Sequence, residues 1–246
     1  MGLSTITDIL SAAGVSLERA KSVQVILTQF TALSPEEKKG SISETVIKVF
    51  PLVFGDSAAV QPSAHYEALR TSVWYVKIIL LPSYLLWKLT QCYRSTNCYL
   101  SPATIVTPSS AHEISMILAL VRFLGATFSI KGGGHLQNPG FQSNNGGVVI
   151  NLHKLNQTTL SEDKKTASIG MGAKWMDVYD ALGSEGLAVS GARVPTVGVA
   201  GYILGGGLSF QHSGKGLACM NVVDYEVSAC YMSLRQGPTN VGCACG

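Results

Sequence analysis

The sequence predicts an α+β fold, with a mainly helical segment over residues 1–100 leading into a mixed region of strands and helices over 101–227. Three observations predict it. Helix-start signals recur at Ser34 and Ser110, short strand-like runs alternate with amphipathic stretches beyond residue 101, and glycines gather between Gly132 and Gly216. At 46% hydrophobic and 13% charged residues, the 246-residue chain is globular rather than disordered.

Ser34-Pro35-Glu36-Glu37 combines a capping serine, proline at the first helical position and a glutamate placed to close a capping box, so a helix starts here. Ser110 and Glu113 repeat the device. Ile114, Ile117, Leu120, Val121 and Leu124 then follow at helical spacing until Gly125 ends the helix. A strand, ATFSI, leads into SIKGGGHLQNPG. Beyond it VVINL (148–152) and ASIG (167–170) read as strands, and KWMDVYDALGSEG (174–186) as a helix with Trp175, Val178, Tyr179 and Leu182 on one face.

Charge and cysteines exclude several classes. The net charge of +3 comes from scattered Lys and Arg, without the basic stripe of a nucleic-acid binder. Six cysteines form no CxxC pair and no zinc-like spacing with histidine, so no metal centre is expected. The run VKIILLPSYLLWKL (76–89) contains Pro82 and falls short of the ~18 apolar residues of a membrane span. The first residues show no basic region followed by an apolar run, so no secretory signal is read and an intracellular location is expected.

Gly132, Gly133 and Gly134 stand directly before His135. Glycines after a strand let backbone N–H groups face a concavity that holds a phosphate, but three of them alone fit a tight turn or bulge equally well. LQNPG is a poor helix, so GxGxxG does not apply either. A second cluster, GARVPTVGVAGYILGGGLSFQHSGKG (191–216), changes the balance: two glycine loops point to a long diphosphate ligand.

Five ordered stretches carry a resemblance to a known family: KGGGH (131–135), NNGGVVINLHKLN (144–156), IGMGAKWMDVYDAL (169–182), GLAVSGARVPTVGVAGYILGGGLSF (186–210) and GLACMNVVDYEV (216–227). Together they resemble the flavin domain of FAD-linked oxidases of the vanillyl-alcohol-oxidase type, in the berberine-bridge-enzyme-like branch. The resemblance implies a PCMH-type FAD-binding domain of two α/β subdomains over 101–227. It implies an oxidation in which a small-molecule substrate gives a hydride to flavin N5 and molecular oxygen reoxidises the flavin. His135 maps onto the histidine bonded to the 8α carbon of FAD. The backbone N–H groups of Gly132, Gly133, Gly134, Thr196, Gly198, Gly201 and Gly206 would cradle the diphosphate, with Val197 and Val222 packing near the cofactor. Val194 occupies the position of the cysteine that makes a second flavin bond in some relatives, and Leu136 that of a small polar residue, so neither contact is expected. His65, His112, His153 and His212 read as ordinary loop or core residues.

The family's substrate domain, with the base that activates the substrate, has no counterpart here, so a chain truncated relative to the family is expected. Residues 76–91 read as an aberrant insertion and 228–246 as a tail foreign to the family. Val227-Ser228 is encodable as a splice donor and Thr239-Asn240 as a branch point, so both segments are readable as translated introns; the rival for 76–91 is a divergent buried helix. Two further readings stand beside the oxidoreductase: a flavin-binding remnant without catalysis, and a uridine-nucleotide-linked reductase of the same flavin fold, which the GGGH histidine disfavours.

Overall fold

The computed structural model describes residues 2–12, 14–60, 63–71, 100–228 and 242–244. Three helices, α1 (Leu3–Ala12), α2 (Leu17–Ala32) and α3 (Pro35–Phe54), open the chain. The capping box of α3 is made in both directions: Glu37 N donates to Ser34 Oγ at 3.4 Å, and Ser34 N donates to Glu37 Oε2 at 2.9 Å. Strand β1 (Ala58–Val60) and helix α4 (Ala64–Thr71) follow.

The next elements are β2 (Thr104–Val106), α5 (Ala111–Leu124), β3 (Phe128–Lys131) and β4 (Val148–Asn151). Helix α5 keeps the bounds its cap and spacing predict, with Glu113 N donating to Ser110 Oγ at 3.2 Å and Gly125 closing it. The first sheet has the order β1-β2-β4-β3. Strands β2, β4 and β3 run parallel, with Ile105 opposite Val149 and Ile130 opposite Ile150, while β1 runs antiparallel to β2.

The N-terminal helices share their core with this sheet. Ile6, Leu10, Val23, Leu27, Val46, Val49 and Phe50 pack in one cluster with Ile117, Leu120 and Leu124 of α5 and with Val106, Val148 and Ile150. At roughly 25 cal/mol per Å² of apolar surface removed from water, joining these layers supplies the main driving force for this half.

The second half contains β5 (Thr158–Leu160), β6 (Thr166–Ile169), α6 (Trp175–Gly183), α7 (Val199–Leu204), α8 (His212–Lys215) and β7 (Gly242–Ala244). Strands β5, β6 and β7 form an antiparallel sheet in that order. A separate core gathers Ile169, Trp175, Val178, Leu182, Val199 and Ile203. The 76–91 segment lies outside the described residues, as does most of 228–246; of the latter, 242–244 adds an edge strand to β6. Val223 and Val227, at 65% and 67% exposed, stay in solvent, while Val222 packs against the second core.

Strand β3 lies at the edge of its sheet and reverses the usual alternation. Phe128 and Ile130 are exposed, while Ser129 and Lys131 are buried. The buried polar groups are satisfied: Lys131 Nζ donates to the Leu69 carbonyl at 2.9 Å and Ser129 Oγ to the Gly140 carbonyl at 3.2 Å. Asn144 ties this face to the returning loop. Its Nδ2 donates to Ser129 Oγ at 3.1 Å and to the Val148 carbonyl at 3.0 Å, and its Oδ1 accepts from Gly147 N at 2.9 Å.

Replacing Asn144 by Ala strands several buried polar groups at once, each at about 1–3 kcal/mol. Denaturant unfolding of Asn144→Ala is therefore expected to show a loss of at least about 2 kcal/mol; a loss below about 0.5 kcal/mol would mean that water takes over these bonds.

Candidate cofactor site

Strand β3 ends at Lys131 and the chain turns through Gly132–Gly134 to His135, as a loop and not a helix. Opposite lies the segment 195–198 at the entrance to α7. That segment is pinned to the start of α6: Trp175 N donates to the Val197 carbonyl at 3.0 Å, Met176 N to the Pro195 carbonyl at 2.9 Å, and Val199 N to the Ala173 carbonyl at 3.0 Å. The two loops meet backbone to backbone at Gly133 and Gly198. A Cβ on Gly133 would stand 2.5 Å from Gly198 Cα, and one on Gly198 would stand 2.6 Å from Gly133 Cα. No side chain fits on either without separating the loops.

Where the loops meet they bound a cleft of about 490 Å³. Of the residues expected from sequence, Gly132, Gly133, Gly134, His135, Val197, Gly198 and Gly201 line it; Thr196, Gly206 and Val222 do not. Gly206 lies one turn beyond the cleft, where its carbonyl and that of Gly207 accept from Cys219 N and Ala218 N at 3.0 and 2.8 Å. The cleft also takes Leu136, where the sequence reading expects no diphosphate contact, and residues which that reading passes over, notably Phe141, Gln142, Ala200, Tyr202 and Leu204. All six sit within or beside the two glycine motifs, which is the signal that could have found them.

The chemistry of the lining is narrow. Among the described residues no carboxylate faces the cleft, and no three His, Cys, Asp or Glu side chains cluster as a metal site. The half-buried His135 imidazole is held below the usual histidine range because burial disfavours its charged form, with a backbone hydrogen bond acting weakly the other way. It is neutral at pH 7. On the α7 side, burial raises the Tyr202 hydroxyl and the nearby Arg193 charge opposes the rise. The ring of Tyr202 meets Trp175 edge-on at 5.2 Å. Behind it, burial pushes Tyr179 up to about 12, and its hydroxyl donates to the Ala192 carbonyl at 2.6 Å.

These residues fit a flavin dinucleotide. Gly132, Gly133 and Gly134 line the cleft with three successive stretches of side-chain-free backbone, whose N–H groups are the kind of donor that a diphosphate takes. The apolar Leu136, Phe141, Val197 and Ala200 offer walls for an aromatic ring, and a neutral imidazole stands beside them.

Comparison with known proteins agrees with this fit. The family described as FAD binding domain matches residues 102–230. The chain is 43% identical over 134 residues to the FAD-dependent monooxygenase yanF of Aspergillus niger, covering 54% of this chain and 23% of that protein. It is 45% identical over 136 residues to the FAD-dependent monooxygenase macF of Penicillium terrestre, covering 54% and 26%. The chain thus spans about a quarter of the length of these curated relatives. Among solved structures, BBE-like 1 of Physcomitrella patens shares the fold at a TM-score of 0.53 and 20% identity, over 75% of this chain and 34% of its own. Two glycine loops closing on a cleft, a chain fold shared with a berberine-bridge-enzyme-like protein and a family match over more than half the sequence lead to one conclusion: the chain belongs to the FAD binding domain family.

Proposed function

We propose that this chain supplies the cofactor-binding part of a flavin-dependent oxidoreductase and holds FAD covalently through His135. The observation that carries the reading is the Gly133–Gly198 contact, which sets two backbone loops and a neutral histidine around one cleft. Bound FAD would supply hydride acceptance at N5 from a small organic substrate, with molecular oxygen as the final electron acceptor. The relatives named above, FAD-dependent monooxygenases, support both the cofactor and oxygen chemistry.

The chain's own residues then divide the work. Backbone N–H groups of Gly132, Gly133, Gly134, Gly198 and Gly201 hold the diphosphate, while Thr196 and Gly206 stand outside the cleft lining and the Gly206 N–H donates to the Ile203 carbonyl at 3.0 Å. Val197 supports the ring side, whereas Val222 packs against the second core and does not line the cleft. His135, neutral through burial, keeps a ring nitrogen lone pair for a carbon–nitrogen bond to the cofactor and serves as anchor, not as acid or base. The domain so formed covers 101–227. A second reading, a flavin-binding module without turnover of its own, is favoured by the absence of any carboxylate from the described cleft lining.

Denatured protein is expected to keep flavin fluorescence on a gel, and His135→Ala to abolish it while retaining reversible FAD binding. An alanine variant that stays covalently fluorescent would place the attachment elsewhere.

Gly198→Val forces the loops apart, and its effect should fall on the ligand. FAD titration of the variant should show affinity reduced by at least about 100-fold, because the lost geometry serves every diphosphate contact at once. Binding within threefold of the unsubstituted chain would show that the junction is dispensable.

The His135 shift also has a stability consequence. Well above pH 6.5 the histidine is neutral in both folded and unfolded chains and contributes little pH dependence. As pH falls below 6.5 the unfolded chain takes up a proton that the folded chain resists, so stability drops. His153, lowered by burial and by the charges of Lys154, Lys131 and His65, adds in the same direction. Thermal melts of the FAD-free protein from about pH 7.5 to about pH 5.5 should fall, and fall less steeply in His135→Gln.

A further inference from the structure

Strand β3 is the last strand of its sheet, in the order β1-β2-β4-β3. On its inner side it pairs with β4: the Thr127 and Lys131 carbonyls accept from Val148 N and Leu152 N at 2.9 Å each. Backbone direction alternates along a strand, so Phe128 and Ile130 turn their N–H and C=O groups outward, where no further strand follows among the described residues. An edge of this kind is ordinarily guarded by a charge, a proline or a bulge. None is present here. Residues 126–130 read ATFSI, the register with β4 is unbroken, and the neighbouring cation, Lys131, is buried and donates to the Leu69 carbonyl. The loop that returns to β4 meets Ser129 on the polar face of the strand, through Gly140 and Asn144. The opposite face leaves Phe128 40% and Ile130 53% exposed.

This edge is complementary to itself. Two copies related by a two-fold axis at Ser129 run antiparallel, and Phe128 of each then stands opposite Ile130 of the other. Both are hydrogen-bonded pairs that exchange N–H···O=C bonds in each direction, and both set an aromatic ring beside a β-branched side chain, a favourable cross-strand combination. No like charges meet. An isologous contact also closes on itself, so association ends at the dimer.

We propose that the chain forms a homodimer by antiparallel pairing of β3 with the β3 of a second copy, joining two four-stranded sheets into one. The contact bears on the cleft. Side chains stand perpendicular to a sheet while backbone groups lie in its plane, so Ile130 lines the cleft with its side chain and pairs through its backbone. The partner subunit's Phe128 comes to stand beside Ile130 and extends the apolar wall. One short strand and two apolar side chains from each copy make a small interface, which sets the dissociation constant in the micromolar range.

Sedimentation velocity of the full chain at about 1, 10 and 100 μM should show a monomer giving way to a dimer. A monomer at every concentration overturns the proposal, and so does growth beyond the dimer. Phe128 lies outside the cleft lining, and Phe128→Lys places a cation on the edge. The variant should stay monomeric at about 100 μM with its melting temperature unchanged; a dimer that survives in the folded variant places the contact elsewhere. Backbone pairing is read in the unsubstituted chain, whatever the variant does. Amide hydrogen exchange at Phe128 and Ile130 should slow several-fold between about 1 and 100 μM, while Ser129, already in the ladder with β4, exchanges at the same rate. Unchanged exchange at Phe128 and Ile130 in a chain that does dimerise overturns the edge pairing. None of these measurements needs FAD, so their failure leaves the cofactor reading standing.

Discussion

Gly133 and Gly198 stand too close for any side chain, and the site depends on that approach. One loop leaves the edge strand of a mixed sheet and the other is held by hydrogen bonds to the start of α6, so each belongs to a different core. Their contact joins the two halves where a ligand can touch both. A backbone-lined junction offers N–H groups without side-chain entropy to lose, which suits a phosphate-bearing ligand.

The helical N-terminus is structural in a specific sense. It covers the first sheet, shares one cluster with α5 and the β-strands, and adds β1 as an antiparallel strand beside β2. Ser43 Oγ donates to the Gly146 carbonyl at 2.6 Å, so α3 also braces the loop that returns from the cleft toward β4. The glycine loop after β3 is thus steadied from behind by residues far away in sequence.

On the cleft side the same strand works the other way round. With Ser129 and Lys131 buried and bonded, Ile130 is left on the exposed face, where it lines the cleft with Leu136 and Phe141. Burial then acts on His135 through desolvation, which holds the imidazole below the usual histidine range. The apolar wall and the histidine's protonation state have one physical origin.

Local signals in the sequence determined the elements. The Ser110–Glu113 cap and the apolar spacing to Leu124 set α5, because capping and periodicity act within one turn of helix. Strand runs at 126–130, 148–152 and 167–170 appear with ends moved by one or two residues, and the five motifs carry the resemblance that the family match over residues 102–230 bears out. The site was legible only in part. Gly132, Gly133, Gly134 and His135 announce themselves by their run, whereas Gln142 and Tyr202 are marked only by their nearness to the two glycine motifs, and the folding of the loops brings them to the cleft. Strand β1 was hidden because Ala58–Val60 is too short to show a period. The pairing of Gly133 with Gly198, 65 residues apart, the reversed faces of β3 and the lowered titration range of His135 were decided by tertiary packing. Each depends on what a residue meets across space, and a one-dimensional pattern records only what it meets along the chain.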